Sequence, residues 1–253
     1  MAGWQLESDR HLHHPWRPFR SLAAVTARSS VSPYLRRIRS FVLREGRLTP
    51  AQQRALQELL PRYGVPEKGT LDFAALFGQR PVVLEIGFGN GESLAQMAQA
   101  SPQLGYLGVE VHRPGVGRLL MLLEQHGIDN VRVVCEDAQL LLGRLPDQSL
   151  RGVQLFFPDP WPKKRHHKRR LVQPEWAQVI RGKLQIGGFL HMATDWEDYA
   201  EHMRAVMAGA LGFRPASAEE AAGYVESRPE TKFERRGRAL GHGVWDLVYF
   251  RES

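Results

Sequence analysis

Residues 82–91, with the sequence VVLEIGFGNG, combine an apolar run with three glycines, a pattern from which the type of fold can be predicted. The first half of this stretch, Val82–Ile86, is a short and mostly apolar run that predicts a buried strand, and glycines then lead into a helix predicted at Glu92–Ala100. Glycines at such a turn let a ligand approach the backbone and the free N–H groups of the following helix. The spacing is not a dinucleotide fingerprint, because Glu92 occupies the position of the last glycine, and the Lys and Ser/Thr of a P-loop are missing. A tight turn without a ligand is the alternative.

The alternation of strands and helices continues on both sides of this stretch. Further strands are predicted at Tyr106–Val109, Val131–Val134, Val153–Phe157, Phe189–Ala193 and Val244–Arg251. Further helices are predicted from Pro50 to Pro61 and at Pro114–His126, Gln139–Leu145, Pro174–Leu184 and Trp196–Ala210. Strands that alternate with helices predict an α/β fold with a doubly wound, mostly parallel, Rossmann-like sheet. The pattern does not place a sixth strand, and it leaves Ser217–Ser227 without an assignment.

Positive charge is concentrated in two segments. The 253 residues contain 34 Lys and Arg against 27 Asp and Glu, a net charge of +7 with a pI of about 9.8. Residues 1–50 and Lys163–Arg170 each carry +6, so the remaining residues together carry −5. Cations clustered in this way predict a polyanionic partner.

Composition excludes several classes of protein. With Cys135 as the one cysteine, an intrachain disulfide, a Cys-rich zinc site and an iron–sulfur cluster are excluded, which agrees with a reducing cytoplasm. No apolar run approaches the roughly 18 to 20 residues of a membrane span. His11, His13 and His14 lack a second group of ligands nearby. We therefore expect a cytoplasmic protein with neither a metal nor a membrane partner.

The N-terminal residues differ from the rest of the chain. Residues 1–33 lack sustained periodicity and contain three prolines among His, Arg and Ser, which predicts a flexible basic arm ahead of a domain at residues 34–253. Arg10–Arg44 contains eight arginines and no acid, so an organelle transit peptide is the alternative.

Acidic residues lie at three successive strand ends. Glu85 is near the end of the first predicted strand, Glu110 follows the second, and Asp137 follows the third. The carboxyl ends of parallel strands border the ligand crevice of such sheets. There Glu110 could accept hydrogen bonds from ribose hydroxyls and Asp137 from an adenine amino group, although either acid alone could be a helix cap or a solvated surface residue.

The fourth predicted strand leads into FFPDPW, residues 156–161. Two prolines around Asp159 restrict the backbone and would hold its carboxylate at the crevice, while a rigid turn without a ligand is the alternative. Directly afterwards comes the basic run Lys163–Arg170, which would hold phosphates at the rim of the crevice or, alternatively, form a solvated face. Trp161, Trp196 and Phe233 are candidates for stacking on a base.

Several stretches together resemble the tRNA (guanine-N7-)-methyltransferase family of class I S-adenosylmethionine-dependent methyltransferases. They are RRIRSFVLREGRL from Arg36, LEIGFGNGESLA from Leu84, GVEVHRPGVG from Gly108, QLFFPDPWPKKRHHKRR from Gln154, GGFLHMATDWEDYAEHM from Gly187 and RPETKFERRGRALGHGVWDL from Arg228. The resemblance covers the chain from about residue 35 to its end. It implies an antiparallel last strand and methyl transfer from S-adenosylmethionine to N7 of guanine 46 in the variable loop of tRNA.

Site residues follow from the motifs and the resemblance together. Cofactor binding is expected at Glu85, Gly87, Gly89, Gly91, Glu110, Asp137 and Asp159. The resemblance makes Asp159 the catalytic residue and implies substrate contacts by Lys163, Asp195, Thr231, Lys232, Phe233 and Glu234. Contacts with RNA are expected from Arg165, His166, His167, Lys168, Arg169 and Arg170. We expect a monomer, with a homodimer as the alternative. Methylation of another nitrogen or another RNA, and RNA binding without catalysis, are the competing functions.

Overall fold

The computed structural model describes residues 40–41, 46–230, 234 and 243–252. The predicted arm at residues 1–33 lies outside the described residues, as do Thr231, Lys232 and Phe233. The boundary between arm and domain therefore stays a prediction.

The described residues form a seven-stranded sheet with helices on both faces. The strands are β1 (Val82–Ile86), β2 (Gly105–Val109), β3 (Val131–Val134), β4 (Leu150–Phe156), β5 (Leu184–Thr194), β6 (Phe213–Pro215) and β7 (Trp245–Arg251). The helices are α1 (Pro50–Glu58), α2 (Leu60–Tyr63), α3 (Phe73–Phe77), α4 (Glu92–Ala100), α5 (Arg113–Gln125), α6 (Ala138–Leu142), α7 (Pro174–Lys183), α8 (Glu197–Ala208) and α9 (Ala218–Ser227), with a 3₁₀ helix at Lys164–Arg169.

The strand order is β3-β2-β1-β4-β5-β7-β6. Strands β1 to β5 pair in parallel, and β7 runs antiparallel to both β5 and β6. This confirms the predicted Rossmann-like sheet and its antiparallel last strand. The direction of winding reverses between β1 and β4, and in such sheets a ligand crevice opens outside the carboxyl ends of the strands at that point.

Each face of the sheet packs against its own set of helices. Val83 and Phe156 face α1, α4 and α5, whereas Leu84 and Leu155 face α6, α7 and α8. Alternate residues of a strand point to opposite faces, so β1 contributes to both parts of the core.

The predicted end of the first helix is wrong. Helix α1 ends at Glu58, and Pro61 lies in the first turn of the short helix α2. Proline is tolerated there because a first-turn N–H has no partner within the helix. Strands β4 and β5 also begin earlier than predicted, at Leu150 and Leu184, with an irregular register between Leu150 and Gly152.

Two elements that the sequence pattern left unassigned are now placed. Strand β6 has three residues and includes a proline, so it lacks the alternation that signals a strand. Helix α9 fills the unassigned segment and begins with a capping box between Ser217 and Glu220. None of its residues is buried, and its contact with the sheet is made through Tyr224, which packs against Phe189 and Phe250.

Candidate functional site at the carboxyl edge of the sheet

The glycine turn after β1 is open on its outer side. Gly87 and Gly89 have φ angles of 75° and 59°, a region that favours glycine, and a Cβ at either residue would meet no described atom within 4 Å. The inner side is closely packed, since a Cβ on Gly115 in α5 would collide with the carbonyl oxygen of Gly89. Gly91 also has a positive φ and is the N-cap of α4. The turn thus exposes backbone towards the crevice.

Glu110 ties this turn to the one after β2. Its Oε2 accepts a hydrogen bond from the N–H of Gly89 at 2.9 Å. Its Oε1 accepts from the N–H groups of Val111 and His112 at 2.7 and 2.9 Å. A carboxylate has about four acceptor positions, so one remains for a ligand hydroxyl.

Glu85 is a buried acid in β1 with an unsatisfied oxygen. Its Oε2 has no hydrogen-bond partner among the described residues. Burial, and then the charge of Glu110, raise the pKa of Glu85 to about 8. A buried carboxyl group of this kind fits a ligand that donates a hydrogen bond or carries a positive charge.

Asp137 begins α6 after β3. Its side chain accepts a hydrogen bond from the N–H of Gln139 at 2.9 Å, so it is the N-cap of that helix. The structure therefore places Glu85, Glu110 and Asp137 on or just after β1, β2 and β3, three neighbouring strands of the sheet.

The turn that carries Asp159 is held in an unusual backbone conformation. Phe157 and Trp161 have φ angles of 51° and 47°, a region that non-glycine residues seldom adopt. Asp159 is exposed between them. The N–H of Phe157 donates to the carbonyl oxygen of Ala193 in β5 at 2.8 Å. Strain of this type persists only where the surroundings enforce it, and it concentrates at functional sites.

The indole of Trp161 contacts three other residues of the chain. Its Nε1 donates a hydrogen bond to the carbonyl oxygen of Ser40 at 3.0 Å. The guanidinium of Arg169 lies 4.9 Å from the centre of the indole ring, and His166 approaches the ring edge-on with centroids 5.9 Å apart. The indole thus links the Asp159 turn to the basic run. Trp196, the second predicted stacking residue, is exposed just before α8, and Phe233 lies outside the described residues.

The basic run forms one 3₁₀ helix at the rim. Lys163, Lys164, Arg165, Lys168 and Arg169 are exposed, and His166 and His167 are partly buried. Neighbouring cations help to lower the pKa of His166, after desolvation as the larger cause. The five exposed cations thus follow the Asp159 turn directly in the chain.

Arg170 differs from the rest of the run because it points inward. Its guanidinium pairs with the carboxylate of Asp198 in α8 and donates to the carbonyl oxygen of Pro160 at 2.9 Å. It also lies 4.8 Å from the centre of the Tyr199 ring. The sequence analysis groups Arg170 with the RNA contacts, but its side chain is only 1% exposed. Arg170 joins the Asp159 turn to α8.

The residues predicted to contact the substrate differ in position and burial. Lys163 is exposed before the 3₁₀ helix, and Asp195 lies directly after β5, so both are at the carboxyl edge. Glu234 is buried, and its carboxylate accepts hydrogen bonds from Arg228 at 2.6 and 3.3 Å. Sequence reasoning missed Arg228, whose guanidinium contacts Asp246 and lies near the rings of Phe156 and Phe157, all distant in sequence.

Within the described part of the chain, no group of three or more His, Cys, Asp or Glu side chains is arranged to hold a metal ion. None of the helices described there has the length and apolar character of a membrane span.

Comparisons with known proteins agree on one family. A family model described as "Putative methyltransferase" matches residues 79–247. The tRNA (guanine-N(7)-)-methyltransferase of Alcanivorax borkumensis is 58% identical over 223 residues, which cover 87% of this chain and 93% of that protein. The enzyme of the same name from Escherichia coli is 55% identical, covering 86% and 92%.

A solved structure gives independent support for the fold. The 16S rRNA methyltransferase KamB superimposes with a TM-score of 0.53 and 18% identity, covering 76% of this chain and all of that one. At this identity the likeness concerns the fold alone.

The burial of Glu85 predicts a pH-dependent change in stability. The folded pKa of about 8 lies above the ordinary value of 4.5. The contribution of Glu85 to the free energy of unfolding is therefore fully present below about pH 4.5 and is lost as pH rises through about 8. Each pKa unit corresponds to about 1.4 kcal/mol. Glu85→Gln cannot ionise at this position. The difference in free energy of unfolding, variant minus wild type, should therefore be more positive at about pH 9 than at about pH 5. Urea denaturation of the ligand-free protein measures this, and a difference between the two proteins that is independent of pH would contradict it.

Proposed function

Since the chain belongs to the tRNA (guanine-N7-)-methyltransferase family, we propose that it transfers a methyl group from S-adenosylmethionine to N7 of guanine in tRNA, at guanine 46 of the variable loop. The observation that carries this proposal is the position of Asp159. Its turn leaves β4 between the crevice bordered by Glu85 and Glu110 and the exposed cations of Lys163–Arg169. A cofactor, a base and an RNA backbone can therefore meet at one edge of the sheet.

The crevice fits the proposed cofactor. S-adenosylmethionine supplies a methyl group activated on a positively charged sulfur. Among the proposed cofactor-binding residues, Gly87 and Gly89 leave open space beside the backbone, and Glu85 has an oxygen ready to accept a hydrogen bond. Glu110 keeps one acceptor position for a ribose hydroxyl, and Asp137 faces the same edge after capping α6. Gly91 and Asp159 complete the proposed set.

The reaction depends on the relative placement of guanine and the methyl group and requires no proton transfer. N7 of guanine attacks with a lone pair and carries no proton, so a general base is unnecessary. The enzyme has to align N7 with the methyl group and stabilise the positive charge that develops on the purine. We assign both tasks to Asp159, because its carboxylate is exposed on a turn whose backbone is held in place.

Recognition of guanine is assigned to polar side chains around that turn. Asp195 follows β5 and can accept from the N1–H and amino groups of guanine, while Lys163 can meet O6 or a phosphate. Thr231, Lys232 and Phe233 keep their proposed contacts with the base. Glu234 is engaged by Arg228, so direct contact of Glu234 with guanine would require that pair to open.

The proposed RNA surface consists of exposed cations. Arg165, Lys168 and Arg169 lie on the 3₁₀ helix with His166 and His167, beside the reacting turn. Phosphates held there would let a base enter the crevice, provided that the base is extruded from its stack. Arg170 is buried and pairs with Asp198, which fixes the end of this basic run to α8.

The activity itself is tested by methyl transfer to unmodified bulk tRNA, followed by borohydride and aniline, which cleave the chain at N7-methylguanine. We expect cleavage in the variable loop. Methylation without cleavage in the variable loop would indicate another guanine or another nitrogen, and binding without methylation would indicate an RNA-binding protein. Either result would contradict the proposal.

Replacement of Asp159 tests the proposed catalytic role. Asp159→Asn keeps the size of the side chain and removes the charge that faces the developing cation, so kcat should fall by roughly a hundredfold. Calorimetry of S-adenosylhomocysteine binding measures the contribution of Asp159 to cofactor affinity, and kcat is therefore measured at saturating S-adenosylmethionine. Unchanged turnover together with unchanged tRNA affinity would show that Asp159 has neither role.

Cofactor binding should release a proton from Glu85. At about pH 7 the free carboxyl group is mostly protonated, because its pKa is about 8. A ligand that donates to the carboxylate lowers this pKa and releases up to one proton. Calorimetry of S-adenosylhomocysteine binding in buffers of different ionisation enthalpy measures the release. Glu85→Gln is the matched control, and equal proton release by both proteins would place the titrating group elsewhere.

The salt dependence of tRNA binding tests the cationic surface. Arg165→Ala should reduce the slope of log affinity against log salt by roughly 0.7 to 0.9 if the residue contacts one phosphate. Arg80 precedes β1 at the opposite edge of the sheet, so Arg80→Ala is the matched control and should leave the slope unchanged. Equal slopes for the two variants would exclude Arg165 from the interface.

A further inference from the structure

A buried cluster of charged residues lies next to the end of β4, where the Asp159 turn begins. Arg228 follows the last residue of α9, and its guanidinium is the centre of this cluster. It donates to both oxygens of Asp246 in β7 at 2.9 Å and to both oxygens of Glu234 at 2.6 and 3.3 Å. His191 in β5 meets Oδ1 of Asp246 at 2.7 Å. Two carboxylates and a histidine thus fix one guanidinium in orientation.

The cluster is almost completely withdrawn from water. The side chains of Arg228, Glu234 and Asp246 are 4%, 3% and 10% exposed, and that of His191 is 1% exposed. Burial raises the pKa of Asp246, but hydrogen bonds from His191 and Arg228 outweigh this effect and lower it overall. Replacing a buried ionic cluster with apolar residues is often neutral or stabilising, so stability alone does not account for this cluster.

The guanidinium faces the end of β4. It lies 5.7 Å from the centre of the Phe156 ring and 5.4 Å from that of Phe157. Cations attract aromatic rings at these distances, more strongly when both are desolvated. Phe157 has the positive φ angle that starts the Asp159 turn. Arg228 therefore holds the two side chains that precede Pro158 and Asp159.

The geometry points to Arg228 as a positioning residue that keeps the Asp159 turn in its strained, reactive conformation. Asp246 and Glu234 orient Arg228, and His191 orients Asp246. The inference rests on the proposed function, since the reaction that the turn serves is methyl transfer. It also assigns a role to α9, which contributes no buried residue of its own but carries Arg228 to the end of β4.

Arg228→Lys tests this role. Lysine retains the charge but cannot bind two carboxylates through paired N–H groups. We expect kcat per S-adenosylhomocysteine-binding site to fall at least about tenfold, because misplacement of a reacting group is costly. The loss in kcat should exceed any change in the Kd values for S-adenosylhomocysteine and for tRNA, because most of the proposed contacts with both ligands come from residues that Arg228 does not touch. Hydrogen exchange of the peptide spanning residues 156–161 should become faster.

Arg214→Lys is the control for the loss of a paired guanidinium at a more exposed site, since the Arg214 side chain is 40% exposed. Arg214 also pairs through two nitrogens with a glutamate, Glu220, at 2.7 Å, and its guanidinium lies 4.8 Å from the ring of Phe250. It is at the other end of α9, away from the reacting turn. The control should change neither kcat per site nor exchange in residues 156–161. If Arg228→Lys fails to fold, Asp246→Asn, which weakens the hold on Arg228, should show the same changes to a smaller extent.

The outcomes separate the inference from the proposed function. An active wild type whose Arg228→Lys and Asp246→Asn variants keep kcat per site within about twofold would overturn the positioning role. Equal losses in Arg228→Lys and Arg214→Lys would also overturn it, because they would indicate a general structural effect. If the wild type does not methylate tRNA, the proposed function fails, and exchange in residues 156–161 still decides whether Arg228 holds the turn.

Discussion

The parallel pairing of β1 with both β2 and β4 determines where the functional groups of this protein lie. Glu85 of β1 is in register with Gly108 of β2 and Gln154 of β4, so the three strands end at one edge. The glycine turn, the Glu110 turn and the Asp159 turn therefore open into the same crevice. A one-residue slip of β4 would reverse the faces of its side chains and would remove Phe156 from the core beside β1.

Charge is arranged around this edge according to burial. Glu85, Glu110 and Asp137 lie on or just after neighbouring strands, where Glu85 is buried, while the cations of Lys163–Arg169 are exposed. Two arginines are exceptions, since Arg170 and Arg228 point inward and bind carboxylates. Each of them secures one side of the Asp159 turn, Arg170 through Pro160 and Arg228 through Phe157. Planar guanidinium groups suit this purpose because they hold several acceptors in a defined orientation.

Much of the fold can be predicted from local patterns, whereas the supports of the site cannot. Val82–Ile86 and Glu92–Ala100 have the predicted bounds because apolar runs and glycines mark them directly. The inward direction of Arg170 depends on Asp198, which α8 brings into place. The orientation of Arg228 depends on Asp246 in β7, 18 residues away, and on contacts with Phe156 and Phe157 at the end of β4. Contacts between segments distant in sequence leave no periodic signal, so only the folded chain reveals them.

The two faces of the sheet serve different physical purposes. The face towards α6, α7 and α8 is apolar, with residues such as Leu84, Val153 and Leu190 completely or almost completely buried. The opposite face carries Glu85, Gln154 and His191 side by side on β1, β4 and β5.

Each of these three residues has one buried polar atom without a hydrogen-bond partner in the described part of the chain, an arrangement that costs stability. Burial on the apolar face stabilises the fold, and this stability offsets the cost of the unsatisfied polar atoms on the other face of the same three strands.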